Sequence, residues 1–228
     1  SSDLPSEELY HSVLEAKRTH KLTNRLNIRE LSFFGRKQEL SQLEEYLSLV
    51  ETGEAVGPFL VIGQSGTGKK RLLRQLVLMS NRSFNFIKVE GRATSQRYEG
   101  SSWNDLRQAL EKLGDEMGIS LLEEEDDLIS VWNQLQSLSK EKPLLILLEN
   151  AQWFDAVSLE KVKQLEERRN QEKWQLIFTA EEPLPAFFVN FLGGLKVEKR
   201  LSQLGLTNFA PSESRALLKG ELGAIEPA

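Results

Sequence analysis

One run of the sequence has the residue types and spacing of a loop that binds phosphate groups. Its glycines let the backbone curl so that successive N–H groups point inward, and a helix that begins at its lysines adds partial positive charge. The ammonium of Lys69 can then reach the β and γ phosphates of a nucleotide. Glycine-rich turns also occur without a ligand, but a lysine at this spacing between a strand and a helix is a specific signal. The run consists of Gly63, Gln64, Ser65, Gly66, Thr67, Gly68, Lys69 and Lys70, and Arg71 extends its basic end.

The residue after Lys69 departs from the usual pattern of such a loop. A Ser or Thr hydroxyl there normally ligates Mg²⁺, whereas this chain has Lys70. A protonated ammonium cannot be a metal ligand, so the sequence predicts that ordinary Mg²⁺ coordination is lost. Lys70 either points at the phosphates and neutralises part of their charge or points into solvent, and the sequence leaves both open.

A second candidate group follows the apolar run 144–148. Acids at the end of such a strand hold Mg²⁺ through water and polarise the attacking water, and Glu149 is in position for the first task. Asn150 occupies the next place, where a carboxylate would act as the base, and an amide cannot usefully accept a proton. Because general-base catalysis is typically worth about 10²–10⁴-fold, Asn150 predicts weak hydrolysis.

The segments around these residues predict alternating strands and helices. Continuous apolar runs indicate strands buried on both faces, and apolar residues at helical spacing indicate the helices between them. This alternation is typical of a parallel α/β sheet that is covered on both faces. The predicted strands are 59–62, 84–89, 144–148, 175–179 and one within 196–204. The predicted helices include 69–79, 103–113, 128–138 and 212–222, and 183–194 is predicted to be irregular or a short helix.

Two helix starts have recognisable capping residues. Ser102 and Asp105 have the spacing of a capping box that opens the helix 103–113. Asp155 can cap the helix that carries Leu159 and Leu165. Both signals predict that short polar side chains satisfy the first N–H groups of these helices.

Composition and charge limit the class of protein. The 228 residues are 39% hydrophobic and 28% charged, which is ordinary for a soluble globular chain and excludes disorder, a collagen-like repeat and a disulfide scaffold. Without cysteine there is no disulfide, thiolate metal site or cysteine nucleophile. The apolar runs are too short for a bilayer and the polar N-terminus is not a secretory signal, so we expect no membrane partner and a cytoplasmic location. A net charge of −5 argues weakly against a chain devoted to nucleic acid.

These motifs together resemble the AAA+-like P-loop ATPases of the STAND class, as found in large bacterial transcription activators and attached to class III adenylate cyclases. The resemblance runs from about Phe33 to Leu218 and includes an "F-x-G-R-x-x-E-L" opening, a strand end at 147–155 and a later passage at 204–218. It implies a three-layer α/β domain with a five-stranded parallel sheet of order 5-1-4-3-2 and ATP or ADP at the carboxyl ends of the strands. It also implies that Phe34, Gly35 and Arg36 lie near the adenine.

The chain also departs from the pattern of this class. Lys70 and Asn150 replace the hydroxyl residue and the second acid, and Gln152 stands where the class usually has His. After the fourth strand the class commonly has an Arg that senses the γ-phosphate, whereas this chain has Glu181 and Glu182. With Lys69 kept, these departures predict a degraded hydrolytic site and make a bound Mg²⁺ doubtful.

The predicted organisation is an N-terminal helical extension, 1–32, followed by the nucleotide-binding domain, 33–228. Leu9, Val13 and Ala16 have roughly helical spacing in the extension. Nothing after Leu218 matches the winged-helix and sensor parts that usually complete the class, and the chain does not begin with Met. We therefore expect a fragment of a larger protein.

Three functions remain open at this level. The first is a regulatory ATP- or ADP-binding domain with weak or no hydrolysis, whose partners are other domains of its parent protein or a separate protein. The second is a working ATPase, and the third is a domain that binds no nucleotide and serves in protein interaction. Oligomerisation is compatible with each, and nucleic acid is a remote fourth candidate.

Overall fold

Five parallel strands form the centre of the fold. The computed structural model describes residues 33, 35–54, 56–119, 127–169, 172–198, 201–210 and 214. Nearly all of these belong to one compact unit, Gly35–Arg215. The predicted extension 1–32, Phe34 and all of the predicted helix 212–222 except residue 214 lie outside the described residues.

Strands and helices alternate along the described chain. We number them α1 and upward and β1 and upward in chain order. They are α1 Lys37–Glu51, β1 Phe59–Gly63, α2 Lys69–Ser80, β2 Asn85–Glu90, α3 Ser101–Met117, α4 Asp127–Leu138, β3 Leu144–Glu149, α5 Ala156–Arg168, β4 Trp174–Glu181, α6 Ala186–Glu198 and β5 Ser202–Leu206.

The strand order confirms the predicted fold class. Neighbouring strands follow the order β2-β3-β4-β1-β5, and all four pairings are parallel. From the other edge this is the expected 5-1-4-3-2. The strands β1 and β3 are buried along their whole length, whereas the edge strand β2 has exposed or half-exposed positions. Continuous apolar runs form the inner strands because helices cover both of their faces.

Two layers of helices cover the sheet. On one face α1 packs against α2 and β1, and the Tyr46 ring lies 4.8 Å from the Phe59 ring. On the other face α3, α4, α5 and α6 share one apolar cluster with the strands, in which Trp103 and Trp174 are buried. Within the described residues, no helix is long and apolar enough to cross a membrane.

The start of α3 differs from the sequence prediction. The predicted capping box of Ser102 and Asp105 is wrong, because Gly100 is the N-cap residue and no local side chain caps the helix. The carboxylate of Asp155, which precedes α5, accepts hydrogen bonds from the N–H groups of Gly100 and Ser102 at 2.8 and 3.2 Å. The same carboxylate caps its own helix as predicted, accepting from the Ser158 N–H at 2.9 Å. A residue distant in sequence therefore supplies the cap that local spacing had assigned to Ser102.

The helix α6 and the strand β5 also differ from the sequence prediction. The thirteen-residue helix α6 begins within the segment 183–194, which was expected to be irregular or a short helix, and continues to Glu198. Its Phe188, Phe191 and Leu195 recur at helical spacing and are buried in the apolar cluster, which offsets the low helix propensity of its two glycines. The strand β5 begins at Ser202, later than the start of the predicted window, because α6 continues to Glu198.

Candidate functional site

The predicted phosphate loop connects β1 to α2, as the sequence indicates. Gly63 ends β1 between β4 and β5, where it pairs with Glu181 and Leu206. A Cβ at Gly63 would lie 2.3 Å from the Leu206 carbonyl oxygen, so only glycine fits there. Gly68 is the N-cap residue of α2 at φ 93°, a conformation that glycine adopts without strain. The crowded sheet and the left-handed turn therefore account for two of the loop glycines.

The loop lysine points back into the loop. Lys69 Nζ donates to the carbonyl oxygens of Gly63 and Gln64 at 2.7 and 2.8 Å, and the side chain is 7% exposed. Thr67 Oγ1 donates to the same Gln64 oxygen at 2.9 Å and helps to fix the turn. Burial lowers the pKa of Lys69, and the nearby carboxylates of Glu181 and Glu182 counteract part of that effect. The ammonium is therefore held inside the loop that a phosphate would enter.

The remaining loop residues lie around this lysine. Gln64, Ser65 and Gly66 are exposed, Thr67 is buried, and Arg71 is half-buried in the first turn of α2. The exposed residues face solvent at the point where the loop turns. A phosphate group can therefore approach the loop backbone from solvent.

Lys70 makes an ion pair with a residue that sequence analysis did not select. Its Nζ hydrogen-bonds to Glu90 Oε1 at the end of β2, and its side chain is 54% exposed. Asn150 Nδ2 also donates to Glu90 Oε1, over a longer 3.5 Å. The hydrogen bond to Glu90 raises the pKa of Lys70, and the same bond, against the effect of burial, lowers the pKa of Glu90. The sequence left two orientations open for Lys70, towards the phosphates or into solvent. The side chain instead turns towards Glu90 at the end of β2.

Glu149, the last residue of β3, and Asn150, which follows it, lie at the carboxyl end of the sheet. Glu149 is buried, and its Oε2 forms an ion pair with Lys88 Nζ at 2.9 Å. Asn150 has the left-handed backbone conformation, with φ 51°, and its N–H donates to Thr179 Oγ1 at 2.9 Å. Thr179 is fully buried in β4. These contacts hold Glu149 against Lys88 on β2 and the Asn150 backbone against Thr179 on β4.

The segment before α1 connects the loop to the chain after β5. Arg36 donates to the Thr67 carbonyl oxygen at 3.2 Å and also to the Thr207 carbonyl oxygen. Its guanidinium carbon lies 4.5 Å from the centre of the Phe209 ring. A Cβ at Gly35 would lie 2.9 Å from this ring, so the two segments are in close contact. Gly35 and Arg36 are therefore placed beside the loop, and Phe34 lies outside the described residues.

The residues at the strand ends do not suit a divalent metal ion. Mg²⁺ prefers oxygen ligands in near-octahedral geometry, but the residue after Lys69 supplies an ammonium group. The carboxylates of Glu90 and Glu149 already contact Lys70 and Lys88. In the part of the chain that the structure describes, no group of three or more His, Cys, Asp or Glu side chains could hold a metal ion.

Some site residues were missed by sequence analysis. Glu90 could have been found, because it is paired in register with Glu149 on the neighbouring strand, so the two side chains reach the same edge. Thr179, Thr207 and Phe209 carried no signal of their own, since their roles depend on contacts between segments distant in sequence.

Comparison with known sequences decides the family. A sequence profile of the AAA ATPase domain matches residues 32–178, which is most of the chain. The chain belongs to the AAA ATPase domain family. No curated protein sequence matches it. Membership confirms the AAA-type part of the predicted resemblance and agrees with the observed sheet.

Solved structures with a similar fold include the following three proteins. Cdc6p from Pyrobaculum aerophilum superposes with a TM-score of 0.61 at 15% identity, over 86% of this chain and 51% of that one. The Aeropyrum pernix Orc1 protein, solved in complex with DNA, gives 0.58 at 18% identity, over 87% and 52%. A DNA replication initiation factor gives 0.52 at 16% identity, over 86% and 53%. The AAA ATPase domain described here spans about half the length of each, and identities this low show a likeness of fold.

Proposed function

We propose that this chain is a regulatory nucleotide-binding domain that holds ATP or ADP with weak or no hydrolysis. The observation that carries the proposal is Lys69, whose buried ammonium lies on the Gly63 and Gln64 carbonyl oxygens at the start of α2. When phosphates bind, their oxygens can replace these carbonyls as acceptors, and the N-terminus of α2 adds partial positive charge. The other proposed nucleotide-binding residues are Phe34, Gly35, Arg36, Gly63, Gln64, Ser65, Gly66, Thr67, Gly68, Lys70 and Arg71.

Weak hydrolysis is the second part of the proposal. Asn150 stands where a general base is needed, and its amide donates to Glu90 instead of accepting a proton. Glu149 is the only carboxylate of the pair 149–150, and it is engaged with Lys88. Glu149 and Asn150 therefore form a catalytic position that lacks an available base.

The finer class and setting of the domain belong to the same proposal. The sequence resembles the STAND class, and the hydrogen bond from Arg36 to the Thr67 carbonyl oxygen supports a role for the opening motif in nucleotide binding. We infer that the domain works within a larger signalling or regulatory protein in the cytoplasm, and that it signals nucleotide occupancy to other domains or to a protein partner. DNA binding by the Orc1 structure is not carried over, since the net charge of −5 gives no general attraction to nucleic acid.

A specific observation favours one alternative, a domain that binds no nucleotide and serves in protein interaction. Glu181 ends β4 and Glu182 follows it, and the Glu182 N–H donates to the Gly63 carbonyl oxygen at 3.3 Å. Their carboxylates are close enough to affect the pKa of Lys69 and oppose the approach of phosphate. An active ATPase of the same family is the third candidate.

Calorimetric titration of ATP and ADP tests the proposal. The wild-type chain should bind at least one of them, and Lys69→Ala should weaken binding by about 100-fold or more, because each hydrogen bond to a charged group is worth about 1.5–3 kcal/mol. Lys112→Ala is the matched control, since Lys112 is exposed on α3 on the other side of the sheet. Thermal unfolding of both variants should show that they fold. Absence of nucleotide binding by folded wild-type protein would favour the interaction domain instead.

Phosphate release separates the regulatory domain from an active ATPase. We expect the wild-type rate to stay near that of Lys69→Ala. A turnover of about 1 s⁻¹ or faster, the lower end of ordinary enzyme rates, would support the ATPase and contradict weak hydrolysis.

A further inference from the structure

The carboxyl ends of β2 and β3 carry lysine ammonium groups where a nucleotide loop usually has its metal ion. We propose that Lys70, held by Glu90, is the cation that the protein itself supplies to the phosphates, so that this site takes the metal-free nucleotide. This inference rests on the proposed function, because it requires that the loop binds a nucleotide.

The first support is the position of Lys70. It lies in the first turn of α2 next to Lys69, and its Nζ reaches the Glu90 carboxylate at the end of β2. The Asn150 amide donates to the same oxygen of Glu90 at 3.5 Å. Glu90 thus draws the ammonium to the edge of the sheet beside the phosphate loop, where a nucleotide would bind.

The second support is that an ammonium group already lies beside each of the two carboxylates at these strand ends. Glu90 Oε1 accepts from Lys70, and Glu149 Oε2 lies 2.9 Å from Lys88 Nζ. A divalent cation entering here would meet the repulsion of both ammonium groups. The proposed cation and a bound metal ion are therefore alternatives at this edge.

The third support is that the ion pair can exchange partners. Lys70 and Glu90 are 54% and 34% exposed, and an exposed ion pair contributes little to stability. The flexible lysine side chain can therefore turn from Glu90 towards a phosphate oxygen at little cost. Lys69 remains buried in the loop, so Lys70 adds a second ammonium group at the start of the helix.

The test is titration of the full chain with ATP and with ADP, once with excess Mg²⁺ and once with EDTA. Lys70→Thr restores the usual hydroxyl, Lys70→Met removes the charge without offering an oxygen, and Lys112→Thr is the control. The wild-type chain and Lys112→Thr should bind with affinities that agree within about threefold in the two solutions. Lys70→Thr should lose about tenfold or more in EDTA (about 1.4 kcal/mol) and recover part of it in Mg²⁺, whereas Lys70→Met should lose it in both.

The outcomes separate this inference from the proposed function. A wild-type affinity that falls more than about tenfold in EDTA would show that the site uses a metal ion, and would overturn the inference while the proposed function stands. Unchanged affinity of folded Lys70→Met in EDTA would also overturn it, because Lys70 would then not be the cation. Wild-type protein that binds nucleotide in neither solution would overturn the proposed function and this inference together.

Discussion

The carboxyl end of β1 differs from the carboxyl ends of β2 and β3 in what its charged groups contact. At the end of β1, Lys69 donates to two loop carbonyl oxygens, which a phosphate can replace. At the ends of β2 and β3, the carboxylates of Glu90 and Glu149 contact lysine side chains. In the first region the ammonium is held by neutral carbonyl oxygens, whereas in the second each ammonium is paired with a carboxylate. Under the proposed function, this difference would let the domain bind a nucleotide while the residues at the positions assigned to hydrolysis form salt bridges.

The largest expected effect comes from restoring the hydrolytic region. Asn150→Asp combined with Lys70→Thr should raise phosphate release by about 10²-fold or more, the lower range for a general base. Each single change should raise it less, because the carboxylate and the hydroxyl serve one assembly of metal and water. Phosphate release with Mg²⁺ is the measurement, and adding Lys69→Ala should abolish the gain. A double variant that binds ATP yet shows the wild-type rate would locate the defect elsewhere.

The next effect concerns Asp155, which organises the chain around the end of β3. Asp155→Ala should lower the free energy of unfolding by about 2–4 kcal/mol, since its buried carboxylate accepts hydrogen bonds from Gly100, Ser102 and Ser158. Urea unfolding at neutral pH measures it. Asp105→Ala, an exposed control on α3, should change stability by less than about 0.5 kcal/mol. Equal effects of the two changes would contradict the role assigned to Asp155.

The contribution of Asp155 should also depend on pH. Burial raises the pKa of this carboxyl. The hydrogen bonds that it accepts from Ser158, Gly100 and Ser102 together lower the pKa by more, so the net shift is downward. Its contribution is fully present above the ordinary aspartate pKa, near pH 4, and is lost as the pH falls through the lowered value. The difference in stability between wild type and Asp155→Ala should therefore shrink below about pH 4. A difference that stays constant down to pH 2 would argue against the charged form.

The smallest expected effect concerns Glu181 and Glu182, the two acidic residues at the end of β4. Glu181→Gln together with Glu182→Gln should raise ATP affinity by about three- to tenfold, and ADP affinity less, because removing charge near Lys69 matters most for the longer phosphate chain. Added salt should reduce the gain, since partly exposed charges are screened. Titration calorimetry at low and high salt measures this, with Glu111→Gln on α3 as control. An equal gain for ATP and ADP would contradict this reading of the two acids.

The sequence predicted the sheet well because its signals are local and redundant. Each inner strand is a continuous apolar run, and the loop motif gives the position of β1 and α2. The order of the strands came from the resemblance, which placed the second and third strands side by side. The capping of α3 by Asp155 could not be predicted, because only the packing of α3 against α5 brings this carboxylate to the Gly100 N–H group.

For the candidate site, the sequence indicated where the residues lie along the strands and helices but not which side chains they contact. Lys69 lies at the start of α2, and Glu149 and Asn150 lie at the end of β3, where the pattern placed them, while their roles stay predictions. The partner of Lys70 was missed, although the register of Glu90 with Glu149 follows once β2 and β3 are known to be neighbours. Which carboxylate each lysine contacts depends on side-chain reach, and no spacing rule encodes it.

Arg36 gives the phosphate loop a mechanical connection to the exit of the domain. One guanidinium holds the Thr67 carbonyl and the Thr207 carbonyl and stacks on Phe209. A displacement of the loop backbone at Thr67 would therefore strain the contacts that Arg36 makes with the chain that leaves β5. These residues lead from β5 into the part of the chain that follows the sheet. A movement of the loop would therefore change the direction in which that part of the chain leaves the sheet.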